Sequence, residues 1–326
     1  MKDLKKIELH LHLEGAAPPA FIRGLAAEKN IDLPSIFDAR GHYVYKDFND
    51  FLRVYEAATA AIKSPQDYAR LLREVLQNGA EQGAIYTELF VSPEFCGGGD
   101  LSAWREYLAA MTEVAAEMSA EGIHSRAILT AIRHFGPERA RKTAICAAET
   151  GSADGSGWVT GFGMGGAEAM GRAQDYAWSF DCAREAGLGL TSHAGEWGGP
   201  QSVRDTLTLG VTRLGHGVGA IEDPALIREL ADRGTVLEVC PGSNVALGLY
   251  PDWASHPIAR LADAGVKVTI STDDPPFFHT TLAHEYDRLA DAFGWAEPEF
   301  AELNRTAAEA AFCDENTRAR LRAAFA

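Results

Sequence analysis

Short apolar runs alternate along this chain with longer stretches in which apolar residues recur at helical spacing. The runs lie at residues 7–13, 84–91, 125–132, 158–164, 188–193, 213–215, 235–240 and 267–271, and each is read as a β-strand. Between them, residues 64–75 open with Ser64 as a helix N-cap and Pro65 at the first helical position, and residues 223–231 open the same way on Asp223 and Pro224. Eight strands, each followed by a helix, predict a closed α/β fold, a parallel (β/α)8 TIM-type barrel. Residues 18–63 fall between the first strand and its helix and are expected to form a helical insertion that caps the barrel. The segment after Phe277 is expected to add C-terminal helices.

The first strand raises the chemical question. In Glu8-Leu9-His10-Leu11-His12-Leu13-Glu14-Gly15 the side chains alternate, so Glu8, His10, His12 and Glu14 share one face and Ile7, Leu9, Leu11 and Leu13 the other. Two imidazoles at i and i+2 can reach one metal ion at ~2.0–2.1 Å. A polar stripe opposite an apolar one is also what a solvated strand face looks like, and this run alone leaves both readings open.

Composition narrows the field. A chain of 326 residues, 46% hydrophobic and 23% charged, can bury a large core, and no stretch reads as a spacer, so one domain over residues 1–326 is expected. A formal net charge of -16 repels polyphosphates and anionic surfaces, which argues against nucleic acid and membranes as partners and for a neutral or cationic small molecule. Five scattered cysteines with no Cys-x-x-Cys pair suit free thiols in a reducing compartment. With no signal-like apolar stretch ahead of the first strand, a cytoplasmic location is expected.

Four motifs sit at strand ends. His10 and His12 close strand one, His193-Ala194-Gly195-Glu196 follows strand five, Gly215-His216-Gly217 follows strand six, and Ser271-Thr272-Asp273-Asp274-Pro275 follows strand eight. In a barrel of this type the C-terminal strand ends form one rim, where active sites are built. Together the motifs offer three imidazoles and a carboxylate for one divalent metal, with a His, a Glu and an Asp left for proton transfer and substrate. Taken singly, Glu196 could be an ion-pair partner at a helix start, Asp274 an N-cap before Pro275, and His216 a turn residue. His42, His124, His134, His256, His279 and His284 are assigned to surface, cap or core, with no metal role.

These runs, with Cys240-Pro241-Gly242-Ser243-Asn244 and in this order over nearly the whole chain, closely resemble the adenosine and adenine deaminase family of the amidohydrolase superfamily. The resemblance implies one Zn2+ per chain, held by His10, His12, His193 and Asp273. It makes Glu196 the proton donor and sets His216 beside the water that the metal activates. It also implies that Asp274 contacts the purine N7 and that the Gly166 backbone approaches N3. The implied chemistry is hydrolytic loss of the 6-amino group: a metal lowers the pKa of its water to ~7, and a protonated carboxyl delivers a proton to N1 as C6 becomes tetrahedral. Burial among apolar neighbours such as Trp197 is expected to hold Glu196 protonated.

Other functions fit less well. A two-metal amidohydrolase is expected to need a bridging lysine from strand four, and residues 158–164 contain none. Zinc deaminases of the Pro-Cys-x-x-Cys type require a partner that Cys240 lacks. A metal-stabilised binding protein on the same barrel would not need His193, Glu196 and His216 together. On substrate, the signals divide. Glu14 stands where nucleoside deaminases of the family carry a ribose-contacting aspartate, which suggests a free base or an N6-modified adenine. The segment Pro276-Phe277-Phe278-His279 looks more like the nucleoside branch, and on balance the sequence leans narrowly to adenosine, giving inosine and ammonia, over adenine, giving hypoxanthine.

Overall fold

A computed structural model describes residues 1–33 and 35–326 of the chain. Among these, eight strands follow one another around a single parallel sheet in sequence order: β1 Lys6–His12, β2 Ala84–Val91, β3 His124–Ile132, β4 Val159–Gly165, β5 Gly189–Ala194, β6 Arg213–His216, β7 Val236–Val239 and β8 Lys267–Ile270. Each lies where the apolar pattern put it, with ends displaced by a single residue where they differ at all. The barrel closes just beyond β8. There Leu11 bridges Asp273, His12 N donates to Asp273 O at 3.0 Å, and Asp273 N donates to His10 O at 3.1 Å. The chain that seals the barrel is therefore also the chain that carries the rim histidines and Asp273.

Closure decides the two readings of β1. Ile7 and Leu9 pack outward against Ala307 and Ala308 of the helix Glu297–Ala310. Glu8 and His10, on the opposite face, are equally buried. The polar stripe is thus no solvated face, because in a closed parallel barrel both sides of a strand are covered.

The expected helices form for the expected local reasons. Ser64 and Asp67 make a reciprocal capping box at the start of Pro65–Glu81, and Asp223 accepts from the Ala225 and Leu226 amides at the start of Pro224–Arg233. The insertion after β1 folds into helices Pro19–Lys29 and Phe48–Thr59 over the rim. Leu282–Phe293, Glu297–Ala310 and Glu315–Ala324 complete the C-terminal end. No helix among the described residues is long and apolar enough to cross a membrane.

At the opposite end of the barrel, Phe312 lies over the backbone of Gly161 and Gly189, and the Arg213 guanidinium sits 3.7 Å from the centre of its ring. A Cβ on Gly189 would come within 2.4 Å of that ring, so this position needs glycine. Gly189→Ala should therefore cost about 1–3 kcal/mol of stability by overpacking. Denaturant unfolding should register that loss, while activity per folded molecule stays at the parental level because the rim is untouched.

Candidate active site

Four strand ends bring the rim side chains together. The Nε2 atom of His193 lies 3.1 Å from Nε2 of His10 and 3.1 Å from Nε2 of His12. Asp273 Oδ1 is 3.4 Å from the first of those partners and 3.2 Å from the second. His216 joins from β6, and ring nitrogens of His10, His193 and His216 fall with an Asp273 oxygen within 4.8 Å of one another; His12, Asp273 and Asp274 form a second such group. His216 and Asp273 hold left-handed backbone conformations, φ 61° and 68°, which non-glycine residues adopt at some energetic cost and which concentrate at functional sites.

The donor chemistry of this cluster suits a cation. His10 Nδ1 lies 2.7 Å from Glu238 Oε2 and His193 Nδ1 lies 2.9 Å from the carbonyl of Met164. A carboxylate and a carbonyl only accept, so both rings donate from Nδ1 and turn their Nε2 atoms toward one another. Burial pushes His193 well below the usual histidine range and His12 below it as well, which leaves neutral rings of the kind metal binding requires. His10 differs: burial works against its charge, but hydrogen bonds to Asp273 and Glu238 outweigh it and hold the ring up at about 9. The pocket therefore claims a positive charge, and the three imidazoles with Asp273 form a donor set that fits a zinc-class ion.

The remaining acids face the same cleft, a space of about 730 Å³ whose walls include Glu14, Gly166, Glu196 and Asp274. Burial first, then the charges of Asp273 and Glu168, push Glu196 well above the usual carboxylate range. Asp274 is also pushed well up, by burial and by Asp273, and its buried Oδ1 has no hydrogen-bond partner among the described residues. Glu14 is raised by burial to about 7 even though it accepts from Tyr68 Oη at 3.1 Å and the Ser92 amide at 3.3 Å. The site thus combines an ionised Asp273 with neighbouring carboxyls that hold protons, the separation on which acid–base division of labour rests.

One expectation is corrected. Trp197 is 44% exposed and does not bury Glu196, so the protonating environment comes from the cleft itself. Four groups escaped the sequence reading. Glu238 orients His10 and is itself held by Thr191 Oγ1 at 2.9 Å and by Arg213 Nε at 2.6 Å, with Glu88 2.7 Å from the same guanidinium. Glu168 accepts from the Gly195, Trp197 and Gly198 amides and from the Ser202 hydroxyl, which frames the Glu196 backbone on both sides. Asn244 reaches His216, and His134 lines the cleft. A charged residue inside the apolar run of β7 was the visible signal for Glu238, and Asn244 closes the Cys240-Pro241-Gly242-Ser243-Asn244 run; nothing local marks Glu168 or His134.

The model of the adenosine deaminase family matches residues 5–325. A relative from Agrobacterium fabrum named adenine deaminase is 52% identical over 322 residues, covering 98% of this chain and 97% of its own. Among solved structures, an adenine deaminase from Arthrobacter aurescens superimposes with a TM-score of 0.88 at 26% identity, covering 99% of this chain and 98% of its own. An amidohydrolase from Burkholderia ambifaria with bound Zn superimposes with a TM-score of 0.87 at 25% identity, covering 99% and 90%.

Burial disfavours the charge on Glu238, but Arg213 and His10 outweigh it and hold this carboxyl below its ordinary range. Its contribution is accordingly present at neutral pH and lost as pH falls below the usual carboxylate range. Glu238→Ala should destabilise the fold by about 3–5 kcal/mol at neutral pH, because it breaks a buried ion pair from one side. In urea melts at several pH values, the gap between variant and parent should narrow toward acid.

Proposed function

This chain belongs to the adenosine deaminase family of amidohydrolase-type purine deaminases, and on that premise we propose that its substrate is adenine, hydrolysed to hypoxanthine and ammonia. The observation that carries the choice of free base is the near-full-length identity with proteins named adenine deaminases, 52% and 50% for two of them. The comparisons favour this reading over the adenosine reading toward which the sequence narrowly leaned. The segment behind that leaning has another explanation. Phe277 stacks on Tyr43 of the cap at 4.0 Å and Phe278 packs on Phe51 at 5.4 Å, so these aromatics fasten the cap, and Phe278 also lines the cleft. Glu14 supports the free base: one methylene longer than aspartate and buried against Tyr68, it takes up space in the cleft wall.

In the proposed reaction His10, His12, His193 and Asp273 hold one zinc-class ion, which when bound supplies a water of lowered pKa as nucleophile at neutral pH. Glu196 enters the cycle protonated and delivers its proton to N1 while C6 becomes tetrahedral. His216 and Asp273 orient the attacking water, and Asp273, steadied by Ser243 Oγ at 2.8 Å, takes up its proton. Asp274, protonated, donates to N7, and Gly166 offers backbone toward N3. The proton on Asp273 then passes to the C6 amine, and collapse at C6 expels ammonia as the C6 hydroxyl gives up its proton to restore Glu196, so adenine and one water leave as hypoxanthine and ammonia.

Elemental analysis of the purified protein should find one zinc-class ion per chain. Glu196→Gln should retain that ion while adenine turnover drops ~100- to 10,000-fold, the usual cost of losing general acid catalysis; an active variant would remove Glu196 from this role. Glu14→Ala should open the wall and raise the ratio of adenosine to adenine turnover, measured as steady-state kcat/KM on both substrates. A variant that instead lost adenosine turnover and kept adenine would reverse the substrate assignment.

A further inference from the structure

Within the proposed reaction, we infer that His256 and Asn244 are positioning residues that fix the ring proton of His216 on Nε2, aimed into the site as a hydrogen-bond donor. A backbone amide only donates, which fixes the direction of the first bond in the chain. Ile258 N–H donates to His256 Nδ1 at 3.2 Å, so that nitrogen is bare. His256 is buried, and burial pushes it down to about 3, so the ring is neutral and carries its one proton on Nε2. That Nε2 lies 3.1 Å from Asn244 Oδ1 and donates to it. The flipped amide is excluded, since it would make His256 accept at both nitrogens, which a neutral imidazole cannot do.

With its oxygen committed, Asn244 presents its NH2 group to His216 Nδ1 at 3.2 Å. An NH2 group only donates, so His216 Nδ1 accepts there and is bare, which leaves the ring proton on Nε2. That atom is buried with no hydrogen-bond partner among the described residues, 3.8 Å from both Glu196 Oε2 and Asp273 Oδ2. Proximity alone groups His216 with His10 and His193. Hydrogen-bond polarity separates them: acceptors behind His10 and His193 take the Nδ1 proton and leave Nε2 as the atom that would face a metal, whereas the donor behind His216 turns an N–H inward. Of these three histidines two are thus turned to ligate and one to donate, and partners outside the metal cluster make the difference.

The test uses the metal-loaded full chain labelled with 15N-histidine. In the parent, the His216 signals, assigned by their loss in His216→Gln, should show a bare Nδ1 and a protonated Nε2. Asn244→Asp, which substitutes an acceptor for the donor, should move the proton to Nδ1. His256→Ala should lower kcat ~10- to 100-fold with KM and metal content nearly unchanged, and His256→Gln, whose amide can still donate to Asn244, should recover most of that loss. A proton on Nδ1 of His216 in the parent would overturn the inference, as would an Asn244→Asp variant that keeps the parental tautomer and rate. A protein that turned over no purine would count against the proposed function but leave the ring spectra, and hence the tautomer assignment, readable.

Discussion

At the top of this barrel, three imidazole nitrogens and a carboxylate oxygen form a cluster in which each lies 3.1–3.4 Å from two of the others. Acceptor atoms at that distance in a low-dielectric interior repel unless a positive charge stands among them, which here is the proton that His10 retains or a bound cation. Much of the surrounding structure serves to hold that unfavourable arrangement together. Glu238 and the Met164 carbonyl turn two of the rings, Arg213 and Thr191 hold Glu238, and Glu88 shares Arg213. Asp273 is fixed by the backbone bridge that closes the barrel, so the geometry of the charge cluster and the integrity of the sheet are one problem.

A second consequence follows from the same concentration of charge. Asp273 is held ionised against its burial by the histidines around it, and burial first, then its negative charge, makes each further carboxylate in the cleft costly. Glu196 and Asp274 respond by keeping their protons. A single environment thus leaves one of three carboxyl groups ionised and two protonated.

Rigidity around these groups comes from neighbouring loops. Arg133, just past β3, donates to the Glu168 carbonyl at 2.8 Å, and the Glu168 carboxylate gathers the amides on either side of Glu196, so the loops after β3, β4 and β5 are tied in series. Above them, Phe48 of the cap meets Trp197 at 5.3 Å, which links the roof of the cleft to the same segment. The exposure of Trp197 is explained by this edge position.

Periodicity along the chain determined the eight strands, the capped helices and the strand-end placement of His10, His12, His193, His216 and Asp273, because alternation and capping act over a few neighbouring residues. The motifs likewise carried the family and the class of reaction. Tertiary structure alone decided that the polar face of β1 is buried, that Glu238 supports the site from β7 and Glu168 from the loop after β4, and that Trp197 lies outside it. It also decided which hydrogen-bond partner stands behind each histidine, an acceptor for His10 and His193 and an amide for His216. The reason is physical: burial and hydrogen-bond direction belong to pairs of groups from different elements, and the partner of His216 lies 28 residues away in sequence, with no local pattern to announce it.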